Sequence, residues 1–260
     1  MNFTSHMTLT GVAVVTLALF AGSTAQADVV IDQFEVPDPQ ETQVININDS
    51  NPFVDQYSDG LGGQRDMLID VKGDPGPVSY SGNIGTDSNG QSALEFNTDG
   101  TSPGTVGTLQ YDGSTETESG APLNNAEQLG GGSGFDLTES GANDRFRLSF
   151  FSSDGGESTN DFEMTANVTS ASGGDANMTQ LVDDSSSPFD VTLPFSSFTG
   201  NTSAFSDATS VTFNFNTEQQ SAVDFSLGQI RTTAVPAPSA LASGGVLLLG
   251  LAGFGARRWR

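Results

Sequence analysis

Apolar and polar residues alternate with a period of two along several stretches of the chain. "RFRLSFF" sets Phe146, Leu148 and Phe150 on one face, with Arg145, Arg147 and Ser149 on the other. "DFEMTANVT" alternates Phe162, Met164, Ala166 and Val168 against Asp161, Glu163, Thr165 and Asn167. "SVTFNFN" repeats the pattern with Val211, Phe213 and Phe215. "VDFSLGQI" turns Val223, Phe225 and Leu227 inward, and Gly228 reads as a bulge that returns Ile230 to the same face. This period is that of a strand with one face buried. Weaker alternating segments lie at residues 29–36, 43–48, 67–72, 78–84, 93–97, 106–111, 178–182 and 189–195, with turn formers such as "GDPGP", "TDSNG", "NTDGTSPG" and "SSDGG" between segments. Residues 28–233 carry no convincing helical period. About a dozen short strands predict an all-β antiparallel β-sandwich, most simply a jelly roll, with the phenylalanines filling much of its core. Residues 112–141, rich in Gly, Glu and Asn, read as a long surface loop; "LGGGSGF" within it lacks the Lys-Ser/Thr ending of a phosphate loop and is expected to be a flexible linker.

The two ends follow a different pattern. Residues 1–27 carry an apolar stretch from Gly11 to Ala21, then small residues closing in Ala25-Gln26-Ala27. This is the form of a secretory signal peptide cut after Ala27. It implies passage through the Sec translocon. At the other end, residues 234–260 hold Val235-Pro236-Ala237-Pro238-Ser239, a charge-free run over residues 240–256, and a basic close at Arg257, Arg258 and Arg260. That run is long enough, at the short limit, for a single transmembrane helix, and the arginines keep its end cytoplasmic. The two prolines fix φ and remove two N–H donors, so the segment before the run stays extended.

This three-part order, paired with a signal peptide, resembles the PEP-CTERM sorting signal; where that family carries its central acid, this chain has Ala237. The resemblance implies an exosortase-type sorting enzyme as partner and a Gram-negative bacterium that makes exopolysaccharide. The implied route is a transient inner-membrane anchor, then processing into the cell envelope, outer surface or extracellular matrix. Within residues 28–233, the order "GLGGQRDMLIDV", "FDLTESGANDRFRLSF", "AVDFSLGQI" is similar to all-β ectodomains joined to such tails and to galactose-binding-like sandwiches.

Charge narrows the partners. All 32 acidic residues fall within residues 28–233, against five bases there (Arg65, Lys72, Arg145, Arg147 and Arg231), which leaves −27. Such a field disfavours nucleic acid, whose phosphates must be neutralised by Lys and Arg. The chain has no Cys, and its one His, His6, lies in the signal peptide. Ser–His–Asp and Cys–His catalysis and ordinary zinc sites are therefore excluded from the processed protein, whereas a pair of carboxylates could still serve a glycosidase. No cofactor is expected beyond a candidate structural Ca²⁺, for which Asp183 with Asp184, and Asp154 with Glu157, are the loop candidates. Sugar sites favour aromatic platforms. The sole Trp, Trp259, lies behind the apolar run, leaving Tyr57, Tyr80 and Tyr111 as exposed-ring candidates. Arg145 and Arg147 share an outward face and are expected to pair with nearby carboxylates.

The expected function is that of a non-enzymatic exported surface or matrix protein, structural or adhesive in exopolysaccharide or biofilm. A carbohydrate-binding module of the same fold is the alternative, and a secreted hydrolase stands third.

Overall fold

The computed structural model describes residues 28–35, 41–46, 53–57, 60–63, 65–71, 79–86, 90–98, 105–113, 128–154, 162–217 and 223–235. Their strands are β1 (Val29–Asp32), β2 (Glu41–Asn46), β3 (Phe53–Tyr57), β4 (Arg65–Val71), β5 (Ser79–Thr86), β6 (Ser92–Thr98), β7 (Thr105–Tyr111), β8 (Arg145–Asp154), β9 (Phe162–Ser170), β10 (Asp175–Val182), β11 (Phe189–Pro194), β12 (Thr199–Gly200), β13 (Ala208–Asn216) and β14 (Asp224–Thr233). They form two sheets. The first runs β11-β8-β14-β6-β5-β2, with β1 also on β14; the second runs β12-β10-β9-β13-β7-β4-β3. Neighbours within each sheet pair antiparallel. Every alternating segment of the sequence contributes a strand. Two were not read: β3, in a polar stretch, and the two-residue β12.

The alternation dictates how the sheets meet. Phe146, Leu148 and Phe150 of β8, Phe162, Met164 and Ala166 of β9, and Phe213 and Phe215 of β13 are buried in one cluster. Rings from the two sheets touch across the interior: Phe162 stacks on Phe225 of β14 at 5.1 Å between centroids, and Phe146 meets Phe213 edge to face at 5.5 Å. The molecule is therefore an all-β antiparallel sandwich. Burying each such ring contributes on the order of 1.5–3 kcal/mol.

The loop expectation for residues 112–141 needs correcting from Leu129 onward. Leu129 and Leu137 are buried, and Phe135 exchanges both backbone hydrogen bonds with Ala208, at 2.7 and 3.0 Å. Two leucines and a short bridge suffice to dock a glycine-rich segment. Gly134 makes the approach possible, because a Cβ there would lie 2.4 Å from the Asp207 carbonyl oxygen.

Between the sheets sits one polar knot. Asp32, at the end of β1, is fully buried; its Oδ2 accepts from Arg65 Nη1 of β4 at 2.5 Å and from the Tyr111 hydroxyl of β7 at 2.9 Å. Its Oδ1 accepts the Phe34 N–H at 2.7 Å, holding Phe34 at φ 52°, and the Phe34 ring lies 5.4 Å beneath the Arg65 guanidinium. Burial first, then the negative charge of Asp32, raises the Tyr111 phenol well above its ordinary pKa of 10.0.

Asp32→Ala removes the carboxylate that faces a buried guanidinium. It is expected to cost about 3–5 kcal/mol in urea unfolding. The neutral phenol is the form the fold holds, so its contribution is whole below about pH 10 and is lost as pH rises from there through the raised pKa. Stability of the wild type should therefore fall more steeply above about pH 10 than that of Tyr111→Phe, as melting curves across that range would show.

Candidate functional site

The solvent face of the first sheet holds the most developed site among the described residues. Register places Asp154 of β8, Asp224 of β14 and Asn97 of β6 in one row across three strands. Ser152, Ser226 and Glu95 form the next row. A wall stands beside them: Ser153 and Ser185 exchange both backbone hydrogen bonds at 2.8 Å, which fixes the turn carrying Asp184 and Ser186 against the end of β8. Rows and wall enclose an open cleft of about 930 Å³ whose lining, among the described residues, holds no base. Four carboxylates, of Glu95, Asp154, Asp184 and Asp224, give it a negative field.

Next along the strands lies a paired irregularity. The β8–β14 register slips between Ser226 and Leu227, leaving Phe151 as an extra residue on β8, and slips back between Leu227 and Gly228-Gln229, leaving Gly228 extra on β14. Two opposed one-residue bulges preserve the inward positions on both sides, and Ile230 is indeed returned to the core. The outward result is a phenylalanine on the solvent side of the sheet. Its ring covers Gly228 so closely that a Cβ there would lie 2.5 Å from Phe151 Cζ. Phe151 and Gly228 then line a second cleft of about 430 Å³ with Ser149, the amides of Gln33, Gln91 and Gln229, and the carboxylate of Glu35. Acid-lined cleft, ring and mixed polar cleft thus succeed one another along β8 over six residues, roughly 17–20 Å.

At the far end of this face the arginines are paired, as expected. Arg145 Nε donates to Asp144 Oδ1 at 2.8 Å, Arg147 Nη2 to Asp190 Oδ2 at 2.5 Å, and Arg231 Nη1 lies 3.0 Å from Asp28 Oδ2. Hydrogen bonding from Arg147, against a smaller opposing effect of burial, holds the Asp190 carboxyl below its usual range.

The sequence candidates are distributed unevenly. Tyr111 requires correction: it is fully buried against Asp32, because it follows Gly107 and Leu109 on the inward parity of β7, so it offers no ring to a sugar. Tyr57 and Tyr80 lie in β3 and β5, and their side chains fall outside the described residues. Asp154 and Asp184 line the same cleft, Asp183 is exposed beside it, and Glu157 lies outside the described residues. Among the described residues, no three carboxylates come together as a metal-ligand set. Val235 closes the described chain; Pro236, Ala237, Pro238, Ser239, Arg257, Arg258 and Arg260 lie beyond it, as do Ala25 and Ala27 before it. Phe151 was missed as a site residue. The signal was present, since "RFRLSFFSSD" puts two phenylalanines in succession and both cannot face inward.

No protein-family model matches the chain, and no curated protein does. Among solved structures it is similar to a family 11 carbohydrate-binding module of a cellulosomal cellulase of Clostridium thermocellum, at 13% identity and TM-score 0.40 over 82% of this chain and 97% of that one. It is also similar to a family 30 carbohydrate-binding module, at 17% identity and TM-score 0.39 over 74% and 99%. An agarase matches at 9% identity and TM-score 0.40, with 82% of this chain lying on 25% of that one. Likenesses this distant carry no argument about ligand or site.

Gly228→Ala would drive its new methyl into the Phe151 ring. The ring should swing off the sheet, at a cost on the order of 1 kcal/mol in denaturant unfolding.

Proposed function

We propose that this protein is an exported, non-catalytic glycan-binding sandwich, and that the solvent face of β8, β14 and β6 holds the glycan. One observation carries the reading: Phe151 is lifted to the solvent side by opposed bulges, set over a glycine, and flanked by two polar clefts. An aromatic face beside hydroxyl, amide and carboxylate groups is the combination that a sugar ring recognises, apolar on its C–H face and hydrogen-bonding at its rim. A strip of roughly 17–20 Å spans several sugar units. The acid lining, with no base among the described residues, disfavours uronic or sulfated glycans and suits neutral ones.

The remaining parts follow from the sequence. The leader exports the chain, the residues after 234 hold it at the inner membrane until an exosortase-type enzyme processes it, and the sandwich then serves in the envelope or exopolysaccharide matrix as a structural or adhesive element.

Calorimetric titration with neutral oligosaccharides should show binding that Phe151→Ala weakens about tenfold, or ~1.4 kcal/mol. Unchanged affinity in that variant, or no binding of any neutral glycan, overturns the reading. Turnover of the glycan, lost in Asp224→Asn, would make the protein a hydrolase instead. For the tail, cells with and without the sorting enzyme are to be fractionated and the protein weighed: loss of residues 240–260 only when the enzyme is present is expected, and their retention in both strains leaves a plain anchor.

A further inference from the structure

β1 is the strand least bound to its own neighbours in sequence. Among the described strands it pairs with β14 alone, with Val29 opposite Thr232 and Val30 opposite Arg231. β6 takes the same edge of β14 from Asp224 to Leu227, so β1 fills the notch left above β6. That notch accepts a definite pattern: Val29, Ile31 and Phe34 are buried in it, and Asp32 among them accepts from Arg65 and Tyr111. The partners are remote, 33 residues away for Arg65, 79 for Tyr111 and farther still for β14. The one local bond, from the Phe34 N–H to Asp32 Oδ1, lies within residues 28–34 and travels with them.

Three features let this element leave its own copy. No cysteine pins it. It joins the remainder through Glu35-Val36-Pro37-Asp38-Pro39-Gln40, where each proline turns the residue before it away from the helical region, so the sequence favours an extended hinge over a tight return. β14 is the last of the described strands to be made, so β1 waits for its sheet partner while neighbouring copies come to offer the same notch. An empty notch would bare a sheet edge at Ile230–Thr232 and take the Asp32 carboxylate from a buried guanidinium. Both costs end when any copy of β1 enters.

We infer that β1 is exchanged between two copies of this chain, each lending residues 28–34 to the notch of the other in a closed two-fold pair. Exchange re-forms the bonds of the single copy, and only the hinge changes course. A second copy is the occupant because it presents Val29, Ile31, Asp32 and Phe34 in the step that the notch requires. The exchange stands apart from whatever the Phe151 strip binds. It sets two such strips on one particle, which raises retention on any repeating ligand.

Val30→Cys with Arg231→Cys in one chain places a thiol on each side of the β1–β14 ladder, in a protein otherwise free of thiols. The full-length chain carrying both is purified and oxidised, and its mass is read without reductant. Exchange yields a covalent dimer. A monomer, with or without an internal disulfide, overturns the inference, even if light scattering shows the wild type to be a dimer through another surface. The two single variants, unfolded in urea and refolded together, should give the mixed covalent dimer about tenfold above the level reached when they are refolded apart and then mixed, because the exchanged strands are trapped once folded. Pro37→Gly with Pro39→Gly changes no residue of β1 or β14 and should cut the dimer share about tenfold, since a flexible hinge raises the effective concentration of β1 at its own notch. Equal levels in the mixing experiment, or a dimer share unmoved by the hinge variant, overturn the exchange as well.

Discussion

One buried carboxylate sets how the two sheets face each other. Packed phenylalanines drive the sheets together, but hydrophobic attraction has no direction and would tolerate a slide of one layer over the other. Asp32 removes that freedom, because its oxygens accept from Arg65 and Tyr111 of the opposite sheet and from the backbone just past its own strand. In a low-dielectric interior these bonds are demanding in geometry, and a shifted register would leave charge without its partner. Everything on the outer faces, including the Phe151 strip, stands on sheets whose relation this knot fixes.

The outer faces divide the chemistry between them. The first sheet gathers its charge, with carboxylates at one end, arginine–aspartate pairs at the other, and a ring between. The pairs are exposed and add little to stability. The second sheet places Thr108, Asn214, Thr165 and Thr179 in one uncharged row across four strands. Because outward positions are free of packing demands, this contrast belongs to the surfaces and not to the fold.

Period two was enough to foresee every strand but β3 and β12, with most of their inward residues, and the bulge at Gly228 was legible because Ile230 would otherwise face water. Parity also carried the signal for Tyr111, which shares its face with Leu109 two residues earlier, yet Tyr111 was taken for an exposed ring, and Arg65 lay before the segment read as a strand. What could not be read was their meeting with Asp32, which depends on contacts between residues 33 and 79 positions apart. The cleft was hidden for the same reason: Asp154, Asp184 and Asp224 are distant in sequence and converge only through strand order. The Leu129–Gly132 turn looked like linker because glycine content weighs against burial until one sees that two leucines suffice to dock it.

The pairing of β1 with β14 joins Val29 to Thr232, and β14 also bonds β8 and β6. The strand on which three others depend is thus the last of the described strands to leave the ribosome. A chain cut short anywhere before residue 224 lacks the middle of its first sheet, so that sheet cannot close until β14 has been made. The same closure brings the two ends of the sandwich to one pole, where a short bridge could join them and new ends be opened elsewhere without disturbing either face.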